Sequence, residues 1–302
     1  MVTIQNLNKS FDGYKALKDL NLNIKKGSIY GLVGVNGSGK TTAIRHLSGL
    51  YRQDSGEVTI DEAPVYDNIA VKERVGYIPD DLYFFPQYNM KLLRRFYRNM
   101  YPKWDDERYA RLVSMFGLSE KRKVGKFSKG MQKQAAFVFA MASMPDVLLL
   151  DEPIDGLDPI VRKRVFRQII EDVARRDVTV LVSSHNLKEM DGICDAIGII
   201  KNGRMVIERD LDDLKSDVHK IQVAFSGAAA AEEERSYDGL TILHRERRGS
   251  IELLVVRGQE AEVSSRIRAL QPVLYDHLPL TLEEIFIYET EGAQDETGEI
   301  PY

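Results

Sequence analysis

The stretch Gly34-Val35-Asn36-Gly37-Ser38-Gly39-Lys40-Thr41, followed by Thr42, constrains this chain more than any other feature of its sequence. It fits the pattern G-x-x-x-x-G-K-[ST] and lies between an apolar strand over residues 29–33 and a segment with helical spacing. Glycines let the backbone wrap a polyphosphate so that successive N–H groups face its oxygens, and the start of the helix adds a favourable dipole. In that arrangement Lys40 reaches the outer phosphates and the Thr41 hydroxyl ligates Mg²⁺.

A second signal is Val147-Leu148-Leu149-Leu150-Asp151-Glu152-Pro153, an apolar strand that ends in paired carboxylates. Charges at the carboxyl end of a strand lie in the crevice where open α/β sheets bind ligands. Asp151 is placed there to hold Mg²⁺, and Glu152 to orient and polarise an attacking water.

The segments around these two signals follow an α/β order. Strands over residues 2–6, 17–24 and 28–33 open the chain, with turn signals at Asp12-Gly13 and Lys26-Gly27. Residues 80–129 change character, with helical patterns at 90–101 and 105–116, and read as an inserted helical subdomain. Helix 160–176, strand 179–183, helix 187–194 and strand 196–201 then alternate as a parallel sheet requires. Beyond residue 217 short strands at 221–225, 241–245 and 251–256 point to a separate small α+β domain. Two short amphipathic helices complete it, one presenting Val263, Ile267 and Leu270, the other Leu282, Ile285 and Phe286. Residues 228–234 are rich in Ala and Glu, and the acidic residues after 291 read as a frayed tail.

Composition narrows the class. With 302 residues, 43% of them hydrophobic and 29% charged, the chain has material for one large domain and a smaller one. No stretch approaches the roughly 18 consecutive apolar residues of a membrane span. The start carries neither a secretory nor a transit pattern, so a cytoplasmic protein is expected, and the lone Cys194 excludes an internal disulfide framework. The net charge of -4 speaks against nucleic acid as a partner. It is divided unevenly, roughly +6 over residues 1–210 and roughly -10 over the rest, as two domains with different surfaces would have it.

Over residues 2–210 the chain resembles the ATP-binding-cassette (ABC) ATPases. Phe127-Ser128-Lys129-Gly130-Met131 stands where the family carries Leu-Ser-Gly-Gly-Gln; Ser128 and Gly130 match and three positions depart. Asp155-Gly156-Leu157-Asp158-Pro159 resembles the family's dimer-contact loop, and Ser183-Ser184-His185 its histidine switch. The resemblance implies a P-loop NTPase core with an antiparallel β subdomain and a helical subdomain at about 80–130, together residues 1–217, followed by a small C-terminal domain over 218–302.

It implies further that ATP and Mg²⁺ are held by Gly34, Asn36, Gly37, Ser38, Gly39, Lys40, Thr41, Thr42 and Asp151. Lys40, Glu152 and His185 would act on the γ-phosphate, while Ser128 and Gly130 would complete the site of a second protomer. Phe11, or alternatively Tyr14, stands where the family stacks an aromatic on adenine; either ring also suits core packing. Asp80 replaces the family's usual glutamine after Val75-Gly76-Tyr77-Ile78-Pro79 and is carried over as a metal or water ligand.

The whole chain is similar to the ATPase subunits of bacterial exporters whose membrane subunit is a different polypeptide. That likeness implies a homo- or heterodimeric ATPase at the inner face of the membrane, bound to it only through a permease. A soluble regulatory or non-transport ATPase acting on a macromolecule is the alternative. Eight aromatics, Tyr83, Phe84, Phe85, Tyr88, Phe96, Tyr97, Tyr101 and Trp104, crowd the helical segment, and some of them are expected to line a groove for the partner's helix.

Overall fold

The computed structural model describes residues 1–226 and 237–291, so the Ala/Glu-rich stretch and the acidic tail lie outside the described residues. The chain divides into two compact units, one made of Met1–Asn186 and Gly192–Glu208, the other of Leu187–Asp191 and the residues from Arg209 onward.

In chain order the first unit contains β1 (Val2–Phe11), β2 (Tyr14–Ile24), β3 (Ile29–Val33), α1 (Lys40–Leu47), β4 (Ser55–Ile60), β5 (Ala63–Pro64), α2 (Ile69–Lys72) and β6 (Val75–Ile78). The helical insertion follows as α3 (Met90–Met100), α4 (Asp106–Phe116) and α5 (Lys129–Ala142), and the chain returns through β7 (Val147–Leu150), α6 (Pro159–Arg176), β8 (Thr179–Ser184), β9 (Ala196–Lys201) and β10 (Arg204–Asp210). Six strands form the central sheet in the order β10-β9-β3-β8-β7-β6, with β6, β7, β8, β3 and β9 paired in parallel. Every residue of β3, β7 and β8 is buried, which explains their unbroken apolar runs: a parallel sheet covered on both faces offers no solvent side.

A second, antiparallel sheet runs β2-β1-β4-β5. Its inward residues Val2, Ile4, Leu17, Leu20 and Leu22 join Leu32 of β3, Ile44 of α1, Leu149 of β7 and Leu181 of β8 in one core cluster. Helix starts are set by local chemistry. Asn89, Asp105, Ser128 and Asp158 each accept a backbone N–H of the first turn of α3, α4, α5 and α6, satisfying donors that the helix leaves unpaired.

The second unit holds α7 (Leu211–Asp217), β11 (Val218–Ala224), β12 (Thr241–Arg248), β13 (Ile251–Arg257), α8 (Glu260–Ala269), β14 (Leu274–Leu278) and α9 (Leu282–Glu291), with its strands ordered β12-β13-β11-β14. Ile221, Val223, Leu254 and Val256 pack against Val263 and Ile267 of α8. Leu270 leaves that face, because α8 ends at Ala269 and Leu270 is already its half-exposed cap residue.

Two expectations change. The segment expected to be helical at 187–194 makes a single 3₁₀ turn at Leu187–Glu189, and the backbone then turns through Gly192 at φ 75°, which no helix continues. Strands β4 and β6 form as well, with no counterpart in the expected order of elements.

Leu149 lies wholly buried in the first unit, which also holds the single tryptophan, Trp104, half-buried among Tyr97, Tyr109 and Phe139. Leu149→Ala is expected to destabilise this unit by about 2–5 kcal/mol through lost burial and a residual cavity. Urea unfolding followed by Trp104 fluorescence measures this directly.

Candidate functional site

The loop between β3 and α1 is shaped by its glycines. Gly39 adopts φ 116° just before α1, and a Cβ at Gly34 would collide with the Ile200 carbonyl oxygen and stand 2.6 Å from Ser38 Oγ. Side chains at either place would push the loop off the sheet. No side chain caps α1, so its first N–H groups remain available to an anion.

Lys40 is only 5% exposed and folds back over the loop: Nζ donates to the Gly34 carbonyl at 2.5 Å and the Val35 carbonyl at 3.3 Å, and lies 3.4 Å from Glu152 Oε1. Asn36 and Gly37 are exposed, Ser38 is buried, and Thr41 and Thr42 are half-buried at the start of α1.

The parallel register that pairs Leu150 with Val182 brings the residues after β7 level with the end of β8. Ser183 Oγ donates to Asp151 Oδ1 at 2.7 Å and accepts the Glu152 N–H at 3.0 Å. His185 Nδ1 lies 3.1 Å from Glu152 Oε2. Glu152 itself adopts φ 46°, a left-handed conformation that a side chain makes costly and that surrounding contacts must enforce. Lys40, Asp151, Glu152 and His185 therefore form one cluster at the carboxyl edge of the sheet, held by strand register and by Ser183, which the sequence marked only as part of the switch motif, with no role of its own.

The donor set fits a small hard cation. Asp151 Oδ2 and Ser38 Oγ are buried without a hydrogen-bond partner, and buried polar atoms left that way need a ligand to answer them. Among the described residues no three His, Cys, Asp or Glu side chains form a ready-made metal cage. A single buried carboxylate with an unanswered oxygen is the kind of donor that Mg²⁺ takes, together with phosphate oxygens and waters. Burial raises the Asp151 pKa above its ordinary value, with the Glu152 and Asp80 charges adding to the rise against the Ser183 hydrogen bond that lowers it.

The remaining expected residues fall around this cluster. Asp80, after β6, is exposed and meets Lys133 of α5, with Nζ 3.3 Å from Oδ1; the same Nζ donates to the Glu152 carbonyl at 2.8 Å. Ser128 caps α5 by accepting the Met131 N–H at 3.3 Å, and Gly130 lies against Gly156, its virtual Cβ 3.4 Å from the Gly156 carbonyl oxygen. Among the described residues neither Ser128 nor Gly130 hydrogen-bonds the 34–42 loop. The Phe11 ring, partly exposed, packs edge-on to Tyr51 at 5.3 Å, while Tyr14 is more exposed still. Lys133 had no signal in the sequence; only the packing of α5 against the ends of β6 and β7 brings it in.

The family model described as ABC transporter matches residues 17–155. The ABC transporter ATP-binding protein YtrB of Bacillus subtilis (strain 168) is 34% identical over 97% of this chain and 99% of its own length. The bacitracin transport ATP-binding protein BcrA of Bacillus licheniformis is 34% identical over 71% of each chain. A solved structure of the ATP binding subunit of an ABC transporter superposes with a TM-score of 0.66 at 26% identity, covering 71% of this chain and 92% of that one.

Asp151→Asn should stabilise the nucleotide-free chain at pH 7, because it removes a charge that burial disfavours. The native carboxyl holds its proton to higher pH than the unfolded one, so native stability rises as pH falls through the raised pKa towards 3.8. Over that window the gap between native and variant closes, which urea titrations in EDTA at a series of pH values will follow.

Proposed function

The chain belongs to the ABC transporter family as an ATP-binding ATPase, and from that premise we propose that it is the energy-supplying subunit of an exporter, closing with a second cassette around two MgATP and driving a separate membrane subunit. The observation that carries this reading is the Glu152 carboxylate, held between Lys40 and His185 beside Asp151 at the end of β7.

In this reading the loop Gly34–Gly39 and the start of α1 receive the phosphates through backbone N–H groups, with Asn36, Gly37, Ser38 and Thr42 around them. Lys40 exchanges its contacts with the loop carbonyls and its ion pair with Glu152 for the γ-phosphate. Thr41 and Asp151 hold Mg²⁺, which neutralises phosphate charge when bound. Glu152, released from Lys40, orients a water for in-line attack, and His185 steadies the carboxylate and faces the γ-phosphate. Phe11 supports the adenine.

Ser128 and Gly130, beside the Asp155-Gly156-Leu157 turn and away from their own chain's loop, suit a nucleotide bound to the opposite protomer. ATP then favours the closed pair, and hydrolysis releases it.

The load is a membrane subunit. No helix among the described residues is long and apolar enough to cross a membrane. Tyr83 is 79% exposed, and Phe85 and Phe96 also face outward, as do Leu92 and Met100. Beside them a cavity of about 180 Å³ is lined by Tyr77, Leu82, Tyr83, Phe84, Tyr97 and Tyr101, and with these rings it offers a groove for a partner's helix. The protein would work at the cytoplasmic face, and the likeness to a bacitracin transport protein supports an antimicrobial peptide as cargo.

Glu152→Gln is expected to keep ATP binding, lower turnover by about a hundredfold or more, and elute as an ATP-dependent dimer on gel filtration. A variant that binds ATP but neither dimerises nor differs from the native chain in turnover would sink the motor reading and favour the regulatory one.

A further inference from the structure

Lys133 and Asp80 have no place in the mechanism above, yet they converge on it. Lys133 lies five residues beyond Ser128 on α5 and is only 12% exposed, with its Nζ between the Glu152 carbonyl at 2.8 Å and Asp80 Oδ1 at 3.3 Å. Glu152 is the residue whose backbone most needs holding, since it carries a side chain in the left-handed region. Its N–H is taken by Ser183 Oγ, and its carbonyl by the Lys133 ammonium and, at 3.4 Å, by the Asp155 N–H.

We propose that Lys133 is a positioning residue for ATP hydrolysis, fixing the Glu152 backbone and through it the carboxylate, and that Asp80 is the counter-charge that keeps the ammonium there. The inference rests on the reading of Glu152 as the water-orienting group. It accounts for the acid at position 80. The β6–β7 register, with Ile78 opposite Leu150, carries Asp80 alongside Glu152, where a half-buried ammonium meets a carboxylate rather than a neutral amide. It also makes α5 a rigid rod that begins at the Ser128 cap and grips Glu152 little more than one turn later, so a displacement of the Ser128 end is transmitted to the water-orienting carboxylate.

The test uses the full-length chain and steady-state ATP hydrolysis, with folding checked by circular dichroism. Lys133→Met is expected to lower kcat about tenfold or more while KM for ATP moves by less than about threefold, as for a group that places a reacting side chain without binding substrate. Lys133→Arg, whose planar cation reaches both oxygens, should return kcat to within about threefold of native. Added to Glu152→Gln, Lys133→Met should slow residual turnover no further, because the carboxylate it positions is gone.

A native-like kcat for Lys133→Met, a KM that rises as much as kcat falls, an Arg variant as slow as Met, or additive losses would each overturn the proposal. Should Lys133→Met fail to fold, Asp80→Asn carries the kcat test, since it removes only the counter-charge; an unchanged kcat there overturns the pairing. Failure of the underlying reading looks different: Glu152→Gln then turns over normally, whatever Lys133 does.

Discussion

Bringing one ammonium and two carboxylates out of water within a few ångströms is the demand to which the first unit is built. Lys40 and Asp151 are almost wholly buried, and Glu152 nearly so. Left unpaired, such charges would cost more than the surrounding apolar core returns. Each is answered from a different strand end. Loop carbonyls after β3 take Lys40, Ser183 of β8 takes Asp151, and Lys40 and His185 flank Glu152. Only the in-register parallel pairing of β3, β7 and β8 makes those ends level, so the long apolar strands serve the site as much as the core. The one oxygen of Asp151 with no partner marks where this compensation stops and a ligand must take over.

What the sequence disclosed follows from how local the cause was. The strand Val147–Leu150 and the strand Ala196–Lys201 have the bounds their apolar runs suggest, because burial on both faces leaves no other pattern. Strand β4 was hidden: its first half is exposed, and its pairing with β1 rather than a run of apolar residues makes it a strand. The helix expected at 187–194 stops after one 3₁₀ turn at Leu187–Glu189, and Gly192 at φ 75° turns the backbone beyond it, against the apolar spacing of the segment.

The site divides in the same way. Lys40, Asp151, Glu152 and His185 were legible because each sits in a short motif whose chemistry needs that residue type. Ser183 and Lys133 were not, since their part arises from register and from the packing of a helix against two strand ends. The aromatics of the helical segment show both outcomes at once: Tyr97 stacks on Phe139 at 4.7 Å as core, while Phe85, packed on Tyr83, Tyr88 and Phe96, still faces outward with Tyr83.

The left-handed backbone at Glu152 has a consequence for how this chain responds to selection. Glycine or asparagine would occupy φ 46° with less strain than glutamate does, and would also relieve the crowding of negative charge beside Asp151. A population of variants screened for heat resistance alone would therefore drift toward losing the carboxylate at this position, accumulating sturdy proteins without the group proposed to orient the attacking water.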